Sequence, residues 1–462
     1  MKGVDTMLME TTIGCGAVRG VPSVGGFALY KGIPYAAPPV GPLRWHAPQP
    51  PLPWAGVRAC DQWGPACPQS TPHTHDTPYG REFYASGDYP PPMGEDCLVL
   101  NVWTPAAAAN ERLPVMVWIH GGAATNGYGH EIEFDGDAIC RRGCILVTIH
   151  YRLNVFGFFA HPDLAQENDA GATGNYGLLD QIAALRWVRE NIAAFGGDAG
   201  NVTVFGQSAG GRSTQALCCS PLTKGLFHRA IVQSSGGLSQ PFGNNARATL
   251  EERGVRLMTA LGCRNLSDLR SLSWRTLLKE FLSVDLGGGF NFCDDGLALP
   301  RPLTDSLLAG EVHDVDLIAG CTVDEGCDGR PEHNLCASLR AWARVQRDAG
   351  RPMRLYVFDR KMPGDDWGAF HSAELWYVFG TIDRCWRPLT DDDRQLSSIM
   401  MDCWTNFARS GDPNGPGLAP WEPFDDRGLE MRFATDGCGM ADYSLGGRMT
   451  ALEDALMAQG KQ

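Results

Sequence analysis

The 462-residue sequence predicts an α/β protein with a mainly parallel central sheet and helices on both faces. Three observations carry this. Short apolar runs rich in Val, Ile and Leu recur along the chain. Segments with a helical apolar period stand between many of them. One of the runs, in 201–211 (NVTVFGQSAGG), leads through a glycine-flanked serine into a helix-compatible stretch.

In chain order, 17–19 and 27–30 read as short strands. The proline-rich run that follows, YAAPPVGPLRWHAPQPPLPW, forbids helix and central strand, so it wraps the surface. Residues 67–97 read as one irregular loop carrying Tyr79, Phe83, Tyr84 and Tyr89, rings that either line a pocket mouth or simply pin the loop. Strands are expected at 98–103, 115–119 and 145–151. The second runs into His120-Gly121-Gly122-Ala123-Ala124, where glycines let backbone N–H groups face a ligand. Residues 178–194 form the clearest helix, with Leu178, Ile182, Leu185, Val188 and Ile192 on one face and Gly196-Gly197 ending it.

In Gly206-Gln207-Ser208-Ala209-Gly210 the strand-turn-helix context makes a nucleophile elbow, a tight turn that lifts the Ser208 hydroxyl clear of both elements. A further strand is expected at 230–233. Helical stretches at 246–261 and 272–281 break the alternation and suit a lid. A strand at 315–320 leads into Asp324 and Glu325. A helix at 335–349, a strand at 354–358, a loop carrying His371 and a closing helix at 392–410 complete the reading, which takes 1–462 as a single domain.

The formal charge of −14 argues against nucleic acid or an anionic membrane as partner. No apolar run reaches membrane-span length, and the N-terminus lacks a signal-peptide core, so a cytoplasmic protein is expected. Sixteen cysteines show no C-x-x-C or zinc spacing. The cluster His73-Thr74-His75-Asp76 lies in a loop with no fixed ligand spacing, so no metal and no cofactor is expected.

An acyl-transfer site needs a nucleophile, a base, an acid that orients the base, and oxyanion donors. Ser208 supplies the first. His228, His313, His333 and His371 follow it, and His371 comes after a strand, where the base is expected. Glu325 and its neighbour Asp324 compete as the acid.

The blocks KGIPYAAPPVGPLRWHAP, GEDCLVLNVWTP, WIHGGA, NYGLLDQIAALRWVRENIAAFGGD, VTVFGQSAGG, VDEG and GAFHSAELWYVFG resemble those of the type-B carboxylesterases, in the same order. That family includes the cholinesterases and bacterial para-nitrobenzyl esterases. The resemblance implies an α/β-hydrolase fold and a serine esterase acting on short- to medium-chain carboxylic esters, with Ser208 as nucleophile, Glu325 as acid and His371 as base. It places the oxyanion hole at the backbone N–H groups of Gly122, Ala123 and Ala209. It also implies ion pairs Arg44–Glu95 and Arg152–Asp180, and a Cys67–Cys97 bridge that a reducing cytoplasm would leave open.

Three departures stand out. Gln207 replaces a common Glu. Ala124 stands where an aromatic usually follows the oxyanion glycines, which would widen the acyl pocket. The Glu325–His371 spacing is short, so the lid or insertion region is reduced and the gorge more open. The expected partner is a small-molecule ester and the expected state a monomer or weak homo-oligomer. Lipase, amidase or thioesterase chemistry on the same triad, and a non-catalytic binding module, are the rival readings.

Overall fold

The computed structural model describes residues 7–71, 77–239, 245–330 and 334–459. A small sheet joins β1 (Glu10–Ile13), β2 (Gly16–Arg19) and β5 (Val57–Ala59). The main sheet contains β3 (Val21–Pro22), β4 (Ala28–Pro34), β6 (Val99–Thr104), β7 (Leu113–Ile119), β8 (Ile145–Ile149), β9 (Gly197–Gln207) and β10 (Arg229–Gln233). Beyond these come β11 (Asp316–Thr322), β12 (Arg354–Phe358), β13 (Leu429–Phe433) and β14 (Gly439–Asp442). Its spatial order is β14-β13-β12-β11-β10-β9-β7-β8-β6-β4-β3. Neighbours from β8 through β13 run parallel, and the outer pairs are antiparallel.

Both faces of this sheet are buried, which is why its strands read as unbroken apolar runs. In β7, Val115, Val117 and Ile119 point into one core, while Met116 and Trp118 point into the other. Leu355 and Val357 of β12 face the first core, and Tyr356 and Phe358 the second. The helix Tyr176–Asn191 belongs to the first core, and the long helix Asp391–Ser410 to the second.

Helices expected at 246–261 and 272–281 form at Arg247–Ala260 and Trp274–Ser283, with Leu266–Ser271 between them. Arg44 locks this region to the body. It pairs with Glu95 at 2.6 Å and donates to the carbonyls of Leu269, Arg270 and Leu272. The fully buried pair Arg152–Asp180 forms at 2.7 Å.

Two expectations need correcting. The 67–97 loop is not irregular throughout, because Pro78–Phe83 forms a helix whose N-cap, Thr77, accepts from Gly80 N–H at 3.0 Å. Cys67 and Cys97 are free buried thiols in mutual contact, the open form of the bridge. The Cys67 sulfur accepts from Leu153 N–H at 3.2 Å. The helix Asp391–Ser410 does not close the chain, for β13, β14 and the helix Arg448–Gln459 follow it. The His73–Asp76 cluster and His333 lie outside the described residues. Among the described residues, no helix is long and apolar enough to cross a membrane.

Candidate active site

The carboxyl ends of β7, β9 and β11, together with the loop after β12, converge on one site, as open parallel sheets favour. Ser208 follows β9 with φ 56° and ψ −124°, outside the ordinary regions for a non-glycine residue. The flanking glycines make the turn possible. A Cβ on Gly206 would strike the Gly210 carbonyl, and one on Gly210 the Ile119 carbonyl. Ser208 N–H donates to Gln233 O at 2.9 Å, which ties the turn to β10.

Ser208 lines two cavities. The first, about 320 Å³, also touches Ala123, Ala209, Arg212, Glu325 and His371. The second, about 370 Å³, is walled by Gly121, Gly122, Tyr79, Phe83, Tyr84 and Phe134, with Glu131 and Glu133 among its other residues. Tyr79, Phe83 and Tyr84 of the loop therefore face the site, whereas Tyr89 lines neither cavity. Ala124 is buried and belongs to neither wall, so its small size does not widen either cavity.

The structure separates Asp324 from Glu325. They sit on the one-turn 3₁₀ element Val323–Glu325 and point apart. Glu325 hydrogen-bonds His371 Nδ1. Asp324 takes Lys361 Nζ at 2.5 Å and Ala369 N–H at 2.8 Å. Glu325 is further held by Ser234 Oγ at 2.7 Å, Thr322 N–H at 3.0 Å and Thr322 Oγ1 at 2.9 Å. Burial works against its charge, but His371 and these donors outweigh burial and hold its carboxyl below the ordinary range. For His371, burial favours the neutral form. The charge and hydrogen bond of Glu325, with Glu374 behind it, overcome this and raise the imidazole above its ordinary value.

With Nδ1 committed to Glu325, Nε2 is the free acceptor. Gln207 Nε2 stands 3.3 Å from it. Among the described residues the Ser208 hydroxyl makes no hydrogen bond. Catalytic contacts of this kind are often loose before substrate binds.

Gly122 and Ala123 both have positive φ, 89° and 55°, and their loop is pinned by Thr125 and Asn126 N–H groups donating to Gly122 O. Among the described residues no protein acceptor takes the N–H of Gly122 or Ala123. Ala209 opens the helix Ala209–Cys219, so its N–H has no intrahelical partner.

Sequence reasoning missed Ser234 and Glu374. Glu374, fully buried, accepts from Ser234 Oγ at 3.3 Å and Gln233 Nε2 at 3.4 Å. Burial and then the Glu325 charge push it up to about 7. It also missed one thiol cluster: Cys321, Cys327 and Cys336 are buried with their sulfurs within 4.8 Å of one another. Their spacing gave no sign of it. β11 and the helix Leu335–Asp348 bring them together beside the Glu325 turn.

The model of the carboxylesterase family matches residues 8–334 and 330–449. Para-nitrobenzyl esterase of Bacillus subtilis (strain 168) is 34% identical over 459 residues, covering 86% of this chain and 89% of its own. The medium-chain fatty acyl-CoA hydrolase precursor of Anas platyrhynchos is 34% identical over 485 residues, covering 87% and 84%. A solved PNB esterase superposes with a TM-score of 0.83 at 30% identity, over 96% of this chain and 99% of that one. The fold is accordingly that of the α/β-hydrolases, and the chain belongs to the carboxylesterase family, as a carboxylic ester hydrolase.

Proposed function

We propose that this ester hydrolase works through a Ser208–His371–Glu325 relay. One observation carries the reading: the imidazole bound to Glu325 shares a cavity with a strained serine and with backbone N–H groups that have no acceptor among the described residues.

Ser208 Oγ attacks the ester carbonyl while His371 Nε2 takes its proton. Glu325 fixes the tautomer and stabilises the imidazolium. The N–H groups of Gly122, Ala123 and Ala209 receive the oxyanion, each worth about 2.7–4 kcal/mol of barrier by analogy with other single donors. His371 then protonates the departing alcohol, and water activated by the same imidazole releases the acid. No cofactor enters these steps.

Short- to medium-chain esters are the proposed substrates, supported by a nucleophile cavity of about 320 Å³. All sixteen cysteines stand as free thiols, which supports a reducing, cytoplasmic setting. Ser208→Ala should abolish para-nitrophenyl acetate hydrolysis, and retained turnover would remove Ser208 from the reaction. A chain-length series of para-nitrophenyl esters should peak at short to medium acyl groups. A peak at very long chains would favour lipase chemistry.

A further inference from the structure

Arg212 is a buried cation that the relay does not use. It lies one turn past the nucleophile on the helix Ala209–Cys219, with its N–H donating to Ser208 O at 2.9 Å. It is only 4% exposed. Among the described residues no carboxylate lies within ion-pair distance of it. Nη2 donates to Asn291 Oδ1 at 2.5 Å, and the guanidinium sits over the Phe292 ring at 4.5 Å. Among the described residues, buried Nε has no partner and Nη1 has no acceptor either.

Leaving a guanidinium buried and half satisfied is costly, and folded proteins ordinarily pair such a charge. Burial lowers the Arg212 pKa only to about 10, so the group stays charged at neutral pH. The titratable group acting on it, Tyr151, is a buried phenol whose own pKa is raised by burial, and it supplies no charge there. Glu325 shares the cavity, but its oxygens are committed to His371, Ser234 and Thr322.

The cavity that Arg212 shares with the relay is also lined by Ser234, Ser235, Ser239 and Asn334, which add polar groups to its wall. Asn291 connects the two parts of the site. Its Oδ1 accepts from Arg212, and its Nδ2 donates to Ala123 O at 3.3 Å, on the oxyanion loop. Among the described residues the other cavity has no Lys or Arg in its wall, and burial raises the carboxyls of Glu131 and Glu133, so it offers an anion no comparable partner.

We propose that Arg212 forms an anion subsite beside the nucleophile, and that the enzyme selects esters carrying a carboxylate, such as half-esters of dicarboxylic acids. The proposal rests on the ester-hydrolase reading above. A bound carboxylate would take the Nη1 N–H and supply the charged partner that no described residue provides.

The test compares kcat/KM of the full-length enzyme for the monoethyl esters of succinic, glutaric and adipic acids with that for ethyl butanoate, pentanoate and hexanoate. A second arm compares acetylglycolate with propyl acetate, which places the charge on the alcohol side. At least one carboxylate ester should be preferred over its neutral counterpart. Arg212→Met should reduce that preference by at least about tenfold, the scale of a charge-assisted hydrogen bond, and Arg212→Lys should keep part of it. The proposal is overturned if no carboxylate ester is preferred by the wild type, or if Arg212→Met leaves the preference intact. Should Arg212→Met fail to fold by circular dichroism, the wild-type preference and Arg212→Lys decide. If the wild type hydrolyses neither kind of ester, the ester-hydrolase reading itself has failed.

Discussion

Gln207 faces the nitrogen that must receive the serine proton, at 3.3 Å. It is neutral, so the charge that raises His371 comes from Glu325 and Glu374. Activity requires neutral His371, so kcat/KM should fall on the acid side with a midpoint above the ordinary imidazole value of about 6.5. Gln207→Glu adds a nearby negative charge and should move that limb to higher pH, whereas Glu325→Gln should move it lower. The latter should also cut kcat by about 10⁴, the scale of losing the orienting acid. Asp324→Asn should cost far less, because Asp324 holds Lys361 and the Ala369 N–H rather than the imidazole. An acid limb that ignores both charge changes would contradict these assignments. Glu374 makes a separate prediction. Its folded pKa of about 7 exceeds the unfolded value of about 4.3, so the native state keeps a proton that the unfolded chain releases. Stability should therefore fall as pH rises from about 4.3 to 7, by up to about 4 kcal/mol. Glu374→Gln should flatten that fall in urea melts, and an unchanged pH profile would contradict the assignment. At this scale the sequence showed Ser208 and His371 but could not separate Asp324 from Glu325. Which of two adjacent carboxylates faces the imidazole depends on the turn that carries them.

The helix Pro78–Phe83 joins a surface loop to the base of the relay. Tyr79 Oη donates to His371 O at 2.8 Å. Glu82 accepts from Trp376 Nε1, Trp386 Nε1 and Arg387 Nε, each at 2.8 Å, on the chain that follows His371. Glu82 and Arg387 are both buried. Arg387 keeps Asp365 at 2.8 Å, but removing Glu82 strands its other donors, buried Trp376 among them, so Glu82→Ala should destabilise the protein by about 1–3 kcal/mol. Because His371 is anchored through the same helix, kcat should drop as well. A full-strength enzyme with native stability would show that the anchor is not needed. The Thr77-Pro78 pair is a helix-start signal, but surrounding proline and glycine obscured it. The strands β13 and β14 were hidden for another reason. Leu429–Phe433 carries Glu430 and Arg432, and Gly439–Asp442 has no β-branched residue, so neither resembles a buried strand.

Across the whole molecule, the central strands were legible because a sheet covered on both faces needs apolar residues at nearly every position. The order in which those strands lie side by side was not legible, since parallel neighbours leave no mark of register on the chain. That order brings residues from the ends of β7, β9 and β11 and from the loop after β12 to one place. Since one sheet holds all of them, thermal inactivation should coincide with loss of the near-ultraviolet circular dichroism signal. Inactivation well below that transition would mean the site melts separately from the sheet. The central claim is that Ser208 is the nucleophile, and covalent labelling tests it most directly. Treatment with an organophosphonate followed by peptide mass spectrometry should find one phosphonyl group per chain, on the peptide containing Ser208, in step with loss of esterase activity. Inactivation with the label on another residue, or full activity after stoichiometric modification of Ser208, would contradict the account.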